Sequence, residues 1–208
     1  MNSAKSAPIL KELEQLIGKS IPYVKEIESN TVGVKVEGTD IIGLGFYNCG
    51  LTTLPESFGE IKSLAYLNLR SNKLTTLPES FGQLKALQTL DLEGNRLTTL
   101  PEAFGSLTAL IELWIYGNQI MTLPESFGSL KALQFVDLQY NKLTTLPESF
   151  GGLKSLQTLH LSFNQLRTLP ESFGNLISLQ KLNLNGNQLT TLPESWQSYF
   201  PPNFRFGG

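Results

Sequence analysis

Apolar residues are spaced along this chain in two alternating ways. In short segments such as Leu90-Asp91-Leu92 they alternate with polar residues, which is the period of a strand with one buried face. In the stretch that follows, residues 97–107, leucine and phenylalanine recur every three or four positions. The pattern predicts a strand and then a return segment that fills the same core from the other side.

The two spacings belong to an internal repeat. A Leu-Pro pair marks each unit, and the pairs are equally spaced along the chain at Leu54, Leu77, Leu100, Leu123, Leu146, Leu169 and Leu192. Because no single unit can bury its own leucines, neighbouring units must stack on one another. We expect non-repeating segments at residues 1–40 and 202–208. The seven repeats fill residues 41–201 and start at Ile41, Leu64, Leu87, Leu110, Leu133, Leu156 and Leu179.

One motif is shared by all seven units. Each reads close to L-x-x-L-x-L-x-x-N-x-L-T-T-L-P-E-S-F-G-x-L-x-x, with Cys49 in place of the asparagine in the first unit. This motif resembles the leucine-rich repeat family. Its 23-residue length is most similar to intracellular Ras-group leucine-rich repeat proteins and to bacterial and archaeal arrays. The resemblance implies an α/β fold: a right-handed β/α solenoid, or horseshoe, with a parallel sheet on its concave side.

The other repeated positions are expected to be structural. An asparagine side chain both donates and accepts, so the ninth-position residues are expected to bond backbone groups of their own and the next unit. Cys49 is expected to be a buried substitute in this ladder, with a reactive or metal-binding thiol as the alternative.

The Pro-Glu-Ser-Phe-Gly segment predicts one short 3₁₀ turn on the convex side of each unit. Proline suits the start of the turn, the glutamate lies near its N-terminus, and the glycine is expected to end it. Cation binding by the row of glutamates is the alternative to this structural role. The phenylalanines of successive units, with Trp196 in the last place, are expected to form a spine in the core.

The two ends of the chain differ from the repeats, and the ends of a solenoid need to be covered. Residues 6–18 have apolar positions at helical spacing, and residues 32–36 alternate as in a strand. With a turn at Gly38, this predicts an N-terminal cap made of a helix and a hairpin. The aromatic, proline-rich C-terminus is a short cap, the stump of a longer protein or a site of self-association, so we expect a monomer or a weak dimer through this end.

The variable positions of the repeat are expected to carry its specificity. The third, fifth, seventh and eighth positions of each unit face away from the core and line the concave surface. Trp114 is expected between Asp91 and Asp137, with His160 within hydrogen-bond reach of Asp137. Exposed aromatic residues of this kind anchor protein interfaces. The candidate partner-binding residues are Tyr66, Arg70, Asp91, Glu93, Glu112, Trp114, Tyr116, Phe135, Asp137, Tyr140, His160 and Phe163.

Composition and charge argue against several other functions. Sixteen basic and 18 acidic residues give a formal net charge of −2, which does not favour a nucleic acid or a membrane as partner. One cysteine and one histidine cannot supply a disulfide or, unaided, a Cys/His zinc site, so neither a metal nor a cofactor is expected. Residues 1–20 lack the apolar stretch of a signal peptide, and no segment is apolar enough to span a bilayer. We therefore expect a cytoplasmic protein.

These observations favour a non-enzymatic signalling scaffold that binds a protein through its concave face. The acidic residues near Trp114 favour a partner with a basic surface, and the Ras-group resemblance implies small GTPases or their effectors. A ligand-sensing or recognition domain of a larger receptor or signalling protein is the alternative, and a consensus-like scaffold without a dedicated partner is a third hypothesis. Catalysis is the weakest, because Ser162 near His160 has neither a pocket nor oxyanion donors implied around it.

Overall fold

An eight-stranded sheet runs through the molecule with its strands in the order of the sequence. The structure is a computed structural model and describes residues 7–197 of the chain. The first two strands are antiparallel, and each later strand is parallel to the one before it. The strands are β1 (Val32–Glu37), β2 (Asp40–Phe46), β3 (Tyr66–Asn68), β4 (Thr89–Asp91), β5 (Glu112–Trp114), β6 (Phe135–Asp137), β7 (Thr158–His160) and β8 (Lys181–Asn183).

Equivalent positions of successive repeats lie side by side in this sheet. Leu44 pairs with Leu67, which pairs in turn with Leu90, and the same register continues along the array. In the first six repeats both apolar residues of the strand motif are buried, as at Leu90 and Leu92, where neither side chain is exposed. One repeat is therefore one step from strand to strand, and the predicted parallel solenoid is confirmed.

Short 3₁₀ turns form the convex side. Each turn includes the glycine and continues one residue beyond it, so the prediction that the glycine ends the turn is wrong. A methyl group on Gly105 would lie 2.1 Å from the carbonyl oxygen of Ser126 in the next repeat. Glycine is needed because neighbouring turns approach closely. The 3₁₀ turns are Glu56–Glu60, Glu79–Gln83, Glu102–Ser106, Glu125–Ser129, Glu148–Gly152 and Glu171–Asn175, followed by the α-helical turn α2 (Glu194–Gln197).

Rows of identical side chains connect these turns. The phenylalanines stack in the core with ring centroids 5.8–6.3 Å apart, and Trp196 meets Phe173 edge-on at 4.7 Å. The predicted spine is thus confirmed. The carboxylate of Glu79 accepts a hydrogen bond from the backbone N–H of Ala103 at 3.3 Å, and equivalent bonds recur along the array. The glutamates therefore cap the turn of the next repeat.

The asparagine ladder connects each repeat to the one before it. The Oδ1 of Asn118 accepts a hydrogen bond from the backbone N–H of Leu97 at 3.0 Å. Its Nδ2 donates to the carbonyl oxygens of Leu92 and Ile115 at 3.0 and 3.2 Å. The ladder forms as predicted, except that each asparagine bonds its own unit and the preceding one, whereas the prediction named the next one. Cys49 is half-buried at the first ladder position, and burial raises the pKa of its thiol.

Helix α1 (Ala7–Ile17) and the hairpin of β1 and β2 cover the N-terminal end of the array. The helix buries Ile9 and Leu13 in the common core and stops before Gly18, whose φ is +68°. This is the predicted helix-plus-hairpin cap. The expected tail at residues 202–208, and any dimer contact through it, lie outside the described residues.

Candidate binding surface

The register of the sheet arranges the candidate residues in two rows across the concave surface. Trp114 pairs with Asp91 on one side and with Asp137 on the other, as the repeat alignment predicts. The third-position row contains Tyr66, Thr89, Glu112, Phe135 and Thr158, and the fifth-position row contains Asn68, Asp91, Trp114, Asp137 and His160.

Trp114, Phe135 and His160 form a contiguous aromatic group, which we call the inner cluster. The ring centroids of Trp114 and Phe135 are 4.2 Å apart, and those of Phe135 and His160 are 5.8 Å apart. All three side chains are half-buried, so each keeps part of its surface open to solvent. His160 pairs with Asp137 across the sheet, as expected, but no hydrogen bond joins their side chains. Within residues 7–197, Nδ1 of His160 is buried without a hydrogen-bond partner.

Tyr116, Tyr140 and Phe163 form a second aromatic row at the ends of the same strands, which we call the outer cluster. The ring centroids of Tyr116 and Tyr140 are 5.1 Å apart, and those of Tyr140 and Phe163 are 4.4 Å apart. Tyr140 is 46% exposed and Phe163 is 50% exposed. The fourth, fifth and sixth repeats therefore present two adjoining aromatic groups on one side of the molecule.

The outer cluster includes two residues in an unfavourable backbone conformation. Tyr140 has a φ of +52° and Phe163 a φ of +55°, in the left-handed region that bulky residues avoid at a cost of about 1–2 kcal/mol each. The ring of Phe163 lies over Gly186, where a Cβ atom would be 2.9 Å from its Cδ1. The eighth position has positive φ in every repeat, and the other five repeats have smaller residues there: Asn48, Ser71, Gly94, Gly117 and Gly186.

The fifth-position carboxylates are less open than the sequence suggested. The sequence predicts that Asp91 and Asp137 line the concave surface as open acidic residues beside Trp114, but each is only 7% exposed, so that expectation is wrong for these two residues. Their Oδ1 atoms accept hydrogen bonds from the backbone N–H groups of Glu93 and Gln139 at 2.9 Å, which fixes the end of each strand. Glu112 in the neighbouring row is exposed.

A cavity of about 360 Å³ lies beside Trp114, towards the N-terminal cap. Within it, Nη1 of Arg70 lies 2.6 Å from Oε2 of Glu93 in an ion pair. Burial raises the pKa of Tyr66, and the negative charges of Asp91 and Glu112 raise it further. Burial also raises the pKa of Asp91 and of Glu93. The cavity is lined by Ser29, Tyr66, Arg70, Thr89, Asp91, Glu93, Glu112 and Trp114.

Part of the N-terminal cap covers the concave surface of the first repeat. A Cβ atom on Gly45 would lie 2.6 Å from the carbonyl oxygen of Thr31, and Nδ2 of Asn68 donates to the carbonyl oxygen of Glu28 at 2.8 Å. Residues 27–31 thus cover this end of the surface, and Ser29 lines the cavity. The repeat pattern does not indicate this contact. The available signal is that only the first repeat has glycine at both its third and fifth positions.

Neither a membrane span nor a metal site is found in the part of the chain that the structure describes. Within residues 7–197, no helix has the length and apolar character needed to cross a bilayer. No group of three or more His, Cys, Asp or Glu side chains in this range is placed to hold a metal ion.

Stacked strand–turn units with an open parallel sheet define a solenoid repeat protein, here with an aromatic concave surface. The family model described as a leucine-rich repeat region matches residues 44–134 and 113–197, which is well over half of the chain. The chain therefore belongs to the leucine-rich repeat family.

Several solved structures are similar to this chain. A leucine-rich repeat protein of Leptospira interrogans is 42% identical, with a TM-score of 0.68 over 70% of this chain and 37% of that one. The crystal structure of PEPR1–AtPEP1 is 31% identical, with a TM-score of 0.73 over 90% of this chain and 29% of that one. The plant peptide hormone receptor RGFR1, in complex with RGF2, is 31% identical, with a TM-score of 0.60 over 70% of this chain and 24% of that one.

This chain thus spans well under half the length of each of these three proteins. Among curated proteins, none is similar enough to this chain to count as a match.

Proposed function

We propose that the protein is a non-enzymatic scaffold that binds a partner protein through the concave surface of its fourth to sixth repeats. The observation that carries this proposal is the left-handed backbone of Tyr140 and Phe163, whose rings are about half exposed. A smaller residue would satisfy the fold at either position, as in the other repeats. Backbone strain of this kind is typical of functional sites.

The inner cluster adds a second line of support. Trp114 and Phe135 are half-buried and in ring contact, so both side chains are held in place before a partner arrives. Prearranged aromatic side chains lose little conformational entropy on binding and are frequent energetic centres of protein interfaces. Because neighbouring strands are about 4.8 Å apart, three repeats present a surface roughly 10 Å wide. That width suits a single extended segment or one helix of a partner.

The comparisons support the same class of function. The family and the fold are those of protein-binding repeat scaffolds, and RGFR1 was solved in complex with RGF2. A recognition domain of a larger receptor or signalling protein is the second candidate, favoured by the small share of each solved chain that this one spans. The Ras-group resemblance makes small GTPases and their effectors one partner class to test. The single cysteine of the chain suits a reducing compartment such as the cytoplasm.

The proposal is tested by affinity capture with the full chain and a Trp114→Ala/Phe135→Ala double variant. The control is a Met121→Ala/Ile177→Ala double variant, which removes two hydrophobic residues that are 53% and 78% exposed and lie outside the strands. We expect proteins that bind the wild type and the control but not the concave variant, as identified by mass spectrometry. If the concave variant retains every protein that the wild type captures, the proposal is wrong.

A further inference from the structure

Asp91 differs from its neighbours in the fifth-position row. The side-chain nitrogen of Asn68 donates to a backbone carbonyl oxygen of the cap at 2.8 Å. In Asp137, Oδ1 accepts the backbone N–H of Gln139 and Oδ2 accepts its side-chain Nε2 at 3.0 Å. In Asp91, Oδ1 accepts the backbone N–H of Glu93, but Oδ2 has no hydrogen-bond partner among residues 7–197. The second polar atom is therefore satisfied in Asn68 and Asp137 and left open in Asp91.

The open oxygen of Asp91 belongs to a residue that is only 7% exposed and lines the cavity beside Trp114. Oδ2 itself is not fully buried, so a cationic group can reach it, but a residue this enclosed has little water to stabilise its charge. Arg70, which also lines the cavity, is already in an ion pair with Glu93. The cavity lining thus carries three carboxylates, those of Asp91, Glu93 and Glu112, against the single cation Arg70, whose charge also acts on Asp91.

The cavity also has aromatic walls. Trp114 and Tyr66 both line it, and aromatic faces attract ammonium and guanidinium groups. Trp114 contacts Phe135 as well, so one indole ring joins the acidic cavity to the inner cluster. A segment that crosses the concave surface can therefore insert a charged side chain on one side of Trp114 and an apolar side chain on the other.

We propose that this cavity is a specificity pocket for one lysine or arginine side chain of the partner protein. The cationic group bonds Oδ2 of Asp91 and the carboxylate of Glu112, while adjacent apolar residues of the partner contact Trp114 and Phe135. The inference rests on the proposed function, since the pocket is filled only if a partner crosses the concave surface.

The test uses the full chain and a displayed library of random linear peptides. Selected peptides are synthesised, and their affinities are measured by fluorescence anisotropy for the wild type and for Asp91→Asn and Asp137→Asn. Asparagine at position 91 keeps the strand-ending hydrogen bond, as Asn68 does in the repeat before. Asp137→Asn is the matched control, because it removes the same charge from a residue whose Oδ2 is already bonded.

We expect the peptides to share a lysine or arginine at one position, and replacing it with glutamine to weaken binding about tenfold or more. In Asp91→Asn most of that difference disappears, whereas in Asp137→Asn it remains. If peptides bind in a way that requires Trp114 but show no such difference, the pocket is refuted and the proposed function stands. If no peptide is recovered, or binding is indifferent to Trp114→Ala and Phe135→Ala, the proposed function itself is contradicted.

Discussion

Replacing Phe163 with glycine separates the contribution of the outer cluster to folding from its contribution to binding. Glycine relieves about 1–2 kcal/mol of strain at a φ of +55°. Against this, the variant loses the ring contact with Tyr140, worth about 0.5–1.5 kcal/mol. It also loses about half of the ~1.5–3 kcal/mol for burying a large apolar side chain, because the ring is 50% exposed. Glycine also lowers stability by about 0.4–1 kcal/mol, because it increases the conformational entropy of the unfolded chain. The net loss of stability is therefore about 1 kcal/mol.

Phe150→Ala is the comparison, because Phe150 is fully buried and stacked on both sides in the core spine. Its loss is expected to cost about 3–5 kcal/mol. Urea unfolding followed by circular dichroism gives both values, and partner affinity is expected to fall about tenfold or more in Phe163→Gly. The reasoning is refuted if Phe163→Gly destabilises the protein as much as Phe150→Ala, or if it binds the partner as the wild type does.

Three further predictions concern the scaffold and the acidic cavity. Asn118→Ala leaves buried backbone groups without their side-chain partner and should cost about 3 kcal/mol or more in urea unfolding, whereas Asn187→Ala, at a half-buried ladder position, should cost less. Gly105→Ala should lower stability by about 1–3 kcal/mol through the clash with the next turn, and an unchanged unfolding midpoint would contradict the close-approach explanation. Burial raises the pKa of Asp91 above its ordinary 3.8, so the native state binds a proton on this carboxyl more tightly than the unfolded state does. The free energy of unfolding therefore falls as the pH rises from 3.8 through the higher native-state pKa. Asp91→Asn should therefore be more stable than the wild type at neutral pH and lose that advantage well below pH 3.8, as thermal melts at both pH values would show.

The strand register could be predicted from the sequence because identical residues at a fixed period can stack in only one alignment. Leu44, Leu67 and Leu90 pair as that alignment requires. The phenylalanine spine and the asparagine ladder follow from the same regularity, since a side chain that recurs once in every repeat meets its copy in the next unit. The direction of the ladder was not predictable, because the motif does not show which neighbour lies within reach of the amide.

The candidate surface was only partly predictable. The sequence pattern shows which face of the sheet a residue occupies, but it does not show the residue's backbone conformation or its hydrogen-bond partners. The alternation of the strand placed Asp91 and Asp137 on the concave side, but their bonds to the following N–H groups draw them in from solvent. Likewise, the pattern identified Tyr140 and Phe163 without showing their left-handed φ. The cover over the first repeat comes from a non-repeating segment, so no periodic signal describes it.

The central claim, that the concave aromatic surface binds the partner, is tested most directly by the fluorescence of Trp114. The chain has two tryptophans, and the other, Trp196, occupies a spine position where the earlier repeats have phenylalanine. Trp196→Phe therefore leaves Trp114 as the sole reporter in an intact fold. Addition of a captured partner should shift the emission to shorter wavelength and protect it from iodide quenching. A partner that binds this variant and leaves both the emission and the quenching of Trp114 unchanged would contradict the account.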